Sequence, residues 1–136
     1  MTSETISAKL VSIGRCVERV VQHTPASASD LAEDHDTQDI VSINLQRAVQ
    51  LAVDVAGAII AGRGLKPPAT MADAFRVLAE AGLLSDELTG RLARAVGFRN
   101  VSVHEYEEID WNIVYSLITK HLDDFRAFVR AVSGLE

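Results

Sequence analysis

Apolar side chains recur along this chain at the three- and four-residue spacing of amphipathic helices, and no segment alternates with the two-residue period of a strand. The pattern predicts five helices, over about residues 3–24, 39–62, 70–81, 85–106 and 111–132. Ser3, Ser85 and Asp110 are the expected N-caps of the first, fourth and fifth helices, and residues 70–73 resemble a capping box that opens the third. We therefore expect an all-α, up-and-down bundle of about five helices, with residues 1–136 as one domain.

Residues 25–39 interrupt this pattern. They begin with Pro25 and two serines and continue into an acidic run from Asp30 to Asp36. This run is either a loop or the exposed first turns of the next helix, where carboxylates favour the positive end of the helix dipole. His35 and its acidic neighbours are adjacent in sequence and do not share one helical face, so a solvated charge run is preferred over a metal site.

Reactive side chains are concentrated at the end of the predicted fourth helix, where Arg99, Asn100, His104 and Tyr106 lie within two helical turns. Arg99 continues the apolar face of this helix, and Tyr106 falls close to the same line. A charged residue on an apolar stripe needs a partner, a cavity or an interface. Asn100 and His104 are four residues apart and share a neighbouring face. The spacing alone also permits a structural ion pair for Arg99 and a solvated His104.

A polar line crosses the predicted second helix, which is otherwise apolar on nearly every side and therefore expected to be central. The line consists of Arg47, Gln50 and Asp54, spaced three and four residues apart. Asp54 could pair with Arg99 or orient His104. It could equally form a local pair with Arg47 or Gln50, and the sequence leaves both possibilities open.

Composition narrows the class of protein. The formal net charge of −6 argues against a broad basic surface for nucleic acid but permits a local basic site. Arg15 and Arg19 lie together on the first helix, where a solvated face is the simpler interpretation. The single cysteine, Cys16, excludes an internal disulfide and a cysteine-based zinc cluster, and its apolar surroundings predict a buried thiol. With neither a signal-peptide pattern nor an uninterrupted apolar run of about 20 residues, we expect a cytoplasmic protein without a membrane partner.

The run Phe98-Arg99-Asn100 followed by Val103-His104-Glu105-Tyr106 resembles the signature of the HEPN superfamily, in the branch of the HepT toxins. That branch carries arginine, four residues, histidine, any residue and tyrosine. The likeness extends over most of the chain from about Asp39 onward. Further matching segments are Asp54-Val55-Ala56 with Ile59-Ile60, the proline connector, Phe75 with residues 78–82, Ile109-Asp110, and Val114-Tyr115 with Leu122-Asp123 and Phe128.

The resemblance implies a metal-independent endoribonuclease toxin that needs no cofactor and acts on RNA as a homodimer, with a composite site at the dimer interface. Arg99, Asn100 and His104 would form the catalytic set, in which Asn100 supports the other two. From its place on the polar line of the second helix, Asp54 is expected to be a supporting residue. Members of this branch are paired, in a type VII-like system, with a small nucleotidyltransferase antitoxin of the MNT type. That antitoxin neutralises the toxin by AMPylation of the motif tyrosine, here Tyr106.

The residue types suit RNA cleavage, which takes a proton from a 2′-hydroxyl and gives one to the leaving 5′-oxygen. Histidine can perform both steps near neutral pH, and a guanidinium can neutralise the phosphorane. One chain supplies one such histidine, His104, whereas a dimer supplies two. The alternative functions are a non-catalytic HEPN partner that holds a nucleotide or substrate for a nucleotidyltransferase, and a purely structural helical dimer.

Overall fold

The computed structural model describes residues 1–135, which contain seven α-helices and one 3₁₀ turn, and in this range no strand. The helices are α1 (Ser3–His23), α2 (Ala28–Glu33), α3 (His35–Gly62), α4 (Met71–Glu80), α5 (Asp86–His104), α6 (Trp111–Lys120) and α7 (Asp123–Val132), with the 3₁₀ turn Tyr106–Glu108 between α5 and α6. The prediction of an all-α protein is confirmed.

Three of the expected helix starts are observed. Thr70, Ser85 and Asp110 each have extended backbone angles, and each side chain accepts a hydrogen bond from an amide two or three residues later. The first helix differs by one residue, because its N-cap is Thr2 and not Ser3. The Thr2 hydroxyl accepts from the amide of Thr5 at 3.1 Å, and Ser3 is already helical.

Most of the acidic run forms a separate short helix, α2, which neither interpretation anticipated, and only His35 and Asp36 lie in the first turn of α3. Ser27 caps the short α2, and Asp34 caps α3, which begins four residues earlier than expected. The Asp34 carboxylate accepts from both the hydroxyl and the amide of Thr37, at 2.8 and 3.1 Å. These two bonds hold the pKa of Asp34 below its usual value. This short helix and cap raise the helix count above the expected five.

The predicted last helix is divided in two at His121 and Leu122. The amide of His121 closes α6 on the carbonyl of Leu117 at 2.8 Å, and α7 then begins at Asp123. This break allows α7 to bury a compact apolar face, on which Phe128 meets Phe75 edge to face with ring centroids 5.6 Å apart. The second extra helix therefore comes from repacking of the chain end against the core.

Helix α3 is the centre of the bundle and contacts α1, α2, α4, α5 and α7. Its length and composition alone would permit it to span a membrane, but a buried core helix meets the same criterion. Here its apolar sides are covered by protein, as the nearly complete burial of Val41, Ala52 and Val55 indicates. Cys16 is also buried, as predicted. Packing in the core therefore holds α3 in place, and the candidate site lies against this helix.

Candidate active site at the end of helix α5

Arg99 lies half-buried on the last two turns of α5, on the side that faces α3. Its Nη1 donates to Oδ1 of Asn100 at 3.2 Å, and its Nη2 donates to Oε1 of Gln50 on α3 at 3.5 Å. Both acceptors are neutral amides, and no carboxylate among residues 1–135 forms an ion pair with this guanidinium. The positive charge of Arg99 is therefore held in position but left available for an anion.

Gln50 connects Arg99 to Asp54. The Nε2 of Gln50 donates to Oδ1 of Asp54 at 2.9 Å, and Oδ2 of Asp54 accepts from Nζ of Lys9 on α1 at 3.5 Å. Because its amide nitrogen is taken by Asp54, the oxygen of Gln50 is directed to Arg99. Of the two possibilities that the sequence left open, Asp54 thus forms the local pair with Gln50, and its link to Arg99 is indirect.

Asn100 and His104 share one exposed face of α5, one turn apart, as their spacing predicts. His104 is the last residue of the helix, and among residues 1–135 its ring has no hydrogen-bond partner. Arg99 and His104 are five residues apart, which places them about 140° apart around the helix. Asn100 lies between them and is bonded to Arg99, so it is the residue that brings the guanidinium toward the imidazole face.

The expected position of Tyr106 on the helix is wrong, because α5 ends at His104. Glu105 leaves the helical region at φ −141° and ψ 55°, and Tyr106 opens the following 3₁₀ turn. Three glutamates occur within residues 105–108, and their charges oppose the negative end of a helix dipole, which disfavours continuation of α5. Tyr106 therefore does not continue the line of Arg99. It reaches the N-terminal half of α3, where its hydroxyl donates to Oδ1 of Asp39 at 2.8 Å.

Three partners of the site were not predicted from the sequence in these roles. Lys9 and Asp39 lie 45 and 67 residues from their partners, and no local pattern indicates either pairing. Gln50 was recognised as polar on an apolar helix, but its contact with Arg99 depends on how α5 packs against α3. That polar exception was the one signal in the sequence that could have found it.

The geometry offers a guanidinium without a carboxylate partner, an orienting amide and an exposed imidazole on the last two turns of α5. These groups could bind a phosphate and exchange a proton with it or with a neighbouring hydroxyl. His104 is the one imidazole of the motif, so a single copy provides one acid–base group at this position. The fold and the site together define an all-α protein with the HEPN arginine–histidine–tyrosine signature.

The comparisons with known proteins agree with this class. The family model of the HepT-like ribonucleases matches residues 13–132. The chain is 33% identical to the mRNA nuclease HepT of Shewanella oneidensis, over 97% of this chain and 98% of that protein. It is 30% identical to the tRNA nuclease HepT of Aphanizomenon flos-aquae, over 95% of this chain and 88% of the relative. This chain therefore belongs to the HepT-like ribonuclease family.

A solved structure gives the same assignment for the fold. The tri-AMPylated HEPN toxin of Shewanella oneidensis, in complex with its MNT antitoxin, superposes with a TM-score of 0.89. The two chains are 33% identical, and the match covers 98% of each. The sequence-based predictions of the HEPN superfamily and of a ribonuclease are thus confirmed at the level of the family.

Proposed function

We propose that this chain is the ribonuclease toxin of a toxin–antitoxin pair, that it cleaves RNA without a metal ion, and that an MNT-type nucleotidyltransferase neutralises it by AMPylation. The observation that carries the proposal is the arrangement at the end of α5, where Arg99, which has no carboxylate partner, is oriented by Asn100 and Gln50 within two turns of the exposed His104. The two nuclease relatives and the AMPylated toxin support it, since each is similar to nearly the whole chain.

The proposed chemistry uses the side chains of the site alone. His104 takes the proton of a 2′-hydroxyl, which attacks the adjacent phosphorus, and an acid returns a proton to the leaving 5′-oxygen. Arg99 stabilises the additional negative charge of the phosphorane through paired hydrogen bonds. Imidazole and guanidinium supply both the proton transfers and the charge stabilisation, so this mechanism has no step that calls for a metal ion.

The second acid–base group would come from a second copy of the chain in a homodimer. An exposed apolar residue supports a protein partner at this place. Val103 lies one turn beyond Arg99 on α5 and is 45% exposed. Apolar side chains left open beside a polar site are typical of an interface. A dimer formed here would place two His104 rings near one another.

Neutralisation would act through Tyr106, which carries the phenol of the signature motif. The side chain is partly exposed at the surface between the 3₁₀ turn and α3, so a nucleotidyltransferase can approach it. Each attached AMP would add a negatively charged phosphate and a bulky base. Both would lie on the surface of α3 between Tyr106 and Arg99. RNA would then lose both space and electrostatic attraction at the site.

The experiment is a cleavage assay on single-stranded RNA with wild-type protein, His104→Ala and the control His35→Ala, each with and without EDTA. His35 is another exposed histidine at a helix end, and it is not part of the signature motif. We expect His104→Ala to lower the rate by about 10²-fold or more, and His35→Ala and EDTA to leave it unchanged. Equal rates for wild type and His104→Ala would refute the catalytic assignment. Tight nucleotide binding without cleavage would favour the non-catalytic alternative instead.

A further inference from the structure

Three arginines without a partner line one groove on the surface of this acidic chain. The groove lies between α1 and α3, has a volume of about 640 Å³, and is lined by Arg15 and Arg19 of α1 and by Arg47 of α3. Among residues 1–135, none of the three forms an ion pair or a hydrogen bond. The other side chains that line the groove include no aspartate or glutamate.

The groove is positively charged, whereas the chain as a whole carries a formal net charge of −6. The chain has 19 acidic and 13 basic residues, and elsewhere several of its cations are already paired, as Arg76 with Asp73 and Arg91 with Asp124. Three guanidinium groups in one groove repel each other, and an anion placed between them would relieve that repulsion. The charge pattern therefore favours an anionic ligand in the groove.

The groove adjoins the candidate active site at Gln50. Gln50 lines one end of it, and the oxygen of the same side chain accepts the hydrogen bond from Arg99. Arg47 lies one turn before Gln50 on α3. The carboxylate of Asp54 lies one turn beyond Gln50 and already accepts hydrogen bonds from Lys9 and Gln50. It therefore adds little repulsion of an anion at the Gln50 end of the groove.

We propose that the groove between α1 and α3 binds the sugar–phosphate backbone of the RNA strand that enters the active site. This inference rests on the proposed ribonuclease function. Arg15 and Arg19 are four residues apart on α1, about 6 Å along the helix, and Arg47 faces them from α3. Each planar guanidinium can bind phosphate oxygens in pairs. Since contacts to phosphates carry no sequence information, the groove would position many RNA sequences equally well.

The test measures RNA binding in a His104→Ala background, in which the strand should remain intact. Binding of a labelled single-stranded RNA is followed by anisotropy at several salt concentrations. The groove variant combines Arg15→Gln, Arg19→Gln and Arg47→Gln. The control combines Arg63→Gln, Lys66→Gln and Arg130→Gln, which remove the same charge from exposed positions outside the groove. Gln favours helix almost as well as Arg, and circular dichroism confirms the fold of both variants.

Three phosphate contacts on a single strand contribute about −2 to the slope of log affinity against log salt, or about 20-fold in affinity between about 50 and 200 mM salt. We expect the groove variant to lose this contribution and the control to keep it. When the three groove substitutions are made in protein that retains His104, they should raise the KM for RNA cleavage and leave kcat nearly unchanged.

The two proposals can fail separately. Suppose that wild-type protein cleaves RNA, that His104→Ala does not, and that the two triple variants have equal slopes of log affinity against log salt. The groove proposal would then be refuted, and the ribonuclease proposal would be retained. If wild-type protein cleaves no RNA, the proposed function fails, and the anisotropy measurements still decide whether the groove binds a strand. Loss of antitoxin binding by the groove variant, with unchanged RNA binding, would assign the groove to an acidic protein surface and overturn the inference.

Discussion

The hydroxyl of Tyr106 donates a 2.8 Å hydrogen bond to Oδ1 of Asp39, and this bond connects the 3₁₀ turn after α5 to the N-terminal half of α3. The Tyr106 ring also meets Trp111 edge-on, with ring centroids 5.9 Å apart. Burial of the phenol is the main reason that its pKa is raised, and the Asp39 carboxylate raises that pKa further. The nearby Ser42 hydroxyl opposes this shift, although its geometry does not satisfy a hydrogen bond.

The phenol of Tyr106 should therefore ionise above its ordinary pKa of 10.0. The folded state favours the neutral phenol, so the stability that it contributes is present below the ordinary pKa and is lost as pH rises through the raised one. Phenolate absorbance during a pH titration, compared between wild type and Tyr106→Phe, isolates this group from Tyr115. Asp39→Asn should lower the Tyr106 pKa, since it removes the carboxylate charge. A Tyr106 pKa at or below the ordinary value in wild type would contradict the bond.

Local features of the fold could be predicted from the sequence, and long-range pairings could not. The cap at Ser85 and the helix that carries Arg99 can be recognised from residues close together in sequence. This is possible because helix formation depends on such local patterns. The bond between Asp39 and Tyr106 depends on where two helices meet and on an early end of α5 that the periodicity did not indicate. For the same reason the sequence marked Gln50 as unusual without identifying Arg99 as its partner.

Gln50 should act as a positioning residue for Arg99. Replacing Gln50 by Leu removes the neutral acceptor, which is worth about 1 kcal/mol, or about fivefold in kcat/KM for RNA cleavage. Gln50→Glu should lower kcat/KM further, because a carboxylate at this position pairs with Arg99 and repels the phosphate. Gln46→Leu, one turn earlier on α3, is the matched control.

The carboxylate of Asp54 orients the Gln50 amide, and its removal should have a similarly small effect. Asp54→Ala frees the amide to rotate, so we expect a loss of about fivefold in kcat/KM, comparable with Gln50→Leu. The double variant should lose little more than either single variant, because the two residues act through one contact. A loss of about 10²-fold for Asp54→Ala alone would instead mark this carboxylate as part of the acid–base chemistry.

Val103 should lie in the proposed dimer interface, which we expect to bury more than about 1,000 Å². Val103→Asp would bury an unpaired carboxylate there, at a cost of about 3 kcal/mol or more, and should weaken the dimer by roughly 100-fold. Val21→Asp on α1 is a matched control, because Val21 is 44% exposed and Val103 is 45% exposed. Light scattering measures the dimerisation of wild type and of both variants. A wild-type monomer at micromolar concentration, or equal dimerisation of the two variants, would place the interface elsewhere or exclude it.

AMPylation of Tyr106 should break the bond to Asp39. The phenolic oxygen loses its proton when it joins the phosphorus, so it can no longer donate, and the phosphodiester brings a negative charge beside the Asp39 carboxylate. Repulsion from Asp39 would direct the nucleotide along α3 toward Arg99. Gln50, the Arg99 contact on α3, is eleven residues beyond Asp39, about 16 Å along the helix axis. A chain of AMP units can cover that distance and occupy the path of the RNA.

Mass spectrometry after co-expression with the proposed MNT-type nucleotidyltransferase tests this mechanism. We expect AMP-sized increments on wild type that map to Tyr106, no increments on Tyr106→Phe, and growth inhibition by Tyr106→Phe that the partner does not relieve. Tyr115→Phe is the control. Its hydroxyl donates to the carbonyl of Pro25 at 3.0 Å, away from the site, so this variant should be modified and neutralised like wild type. Increments that map to another residue, or efficient neutralisation of Tyr106→Phe, would show that the antitoxin acts without this phenol.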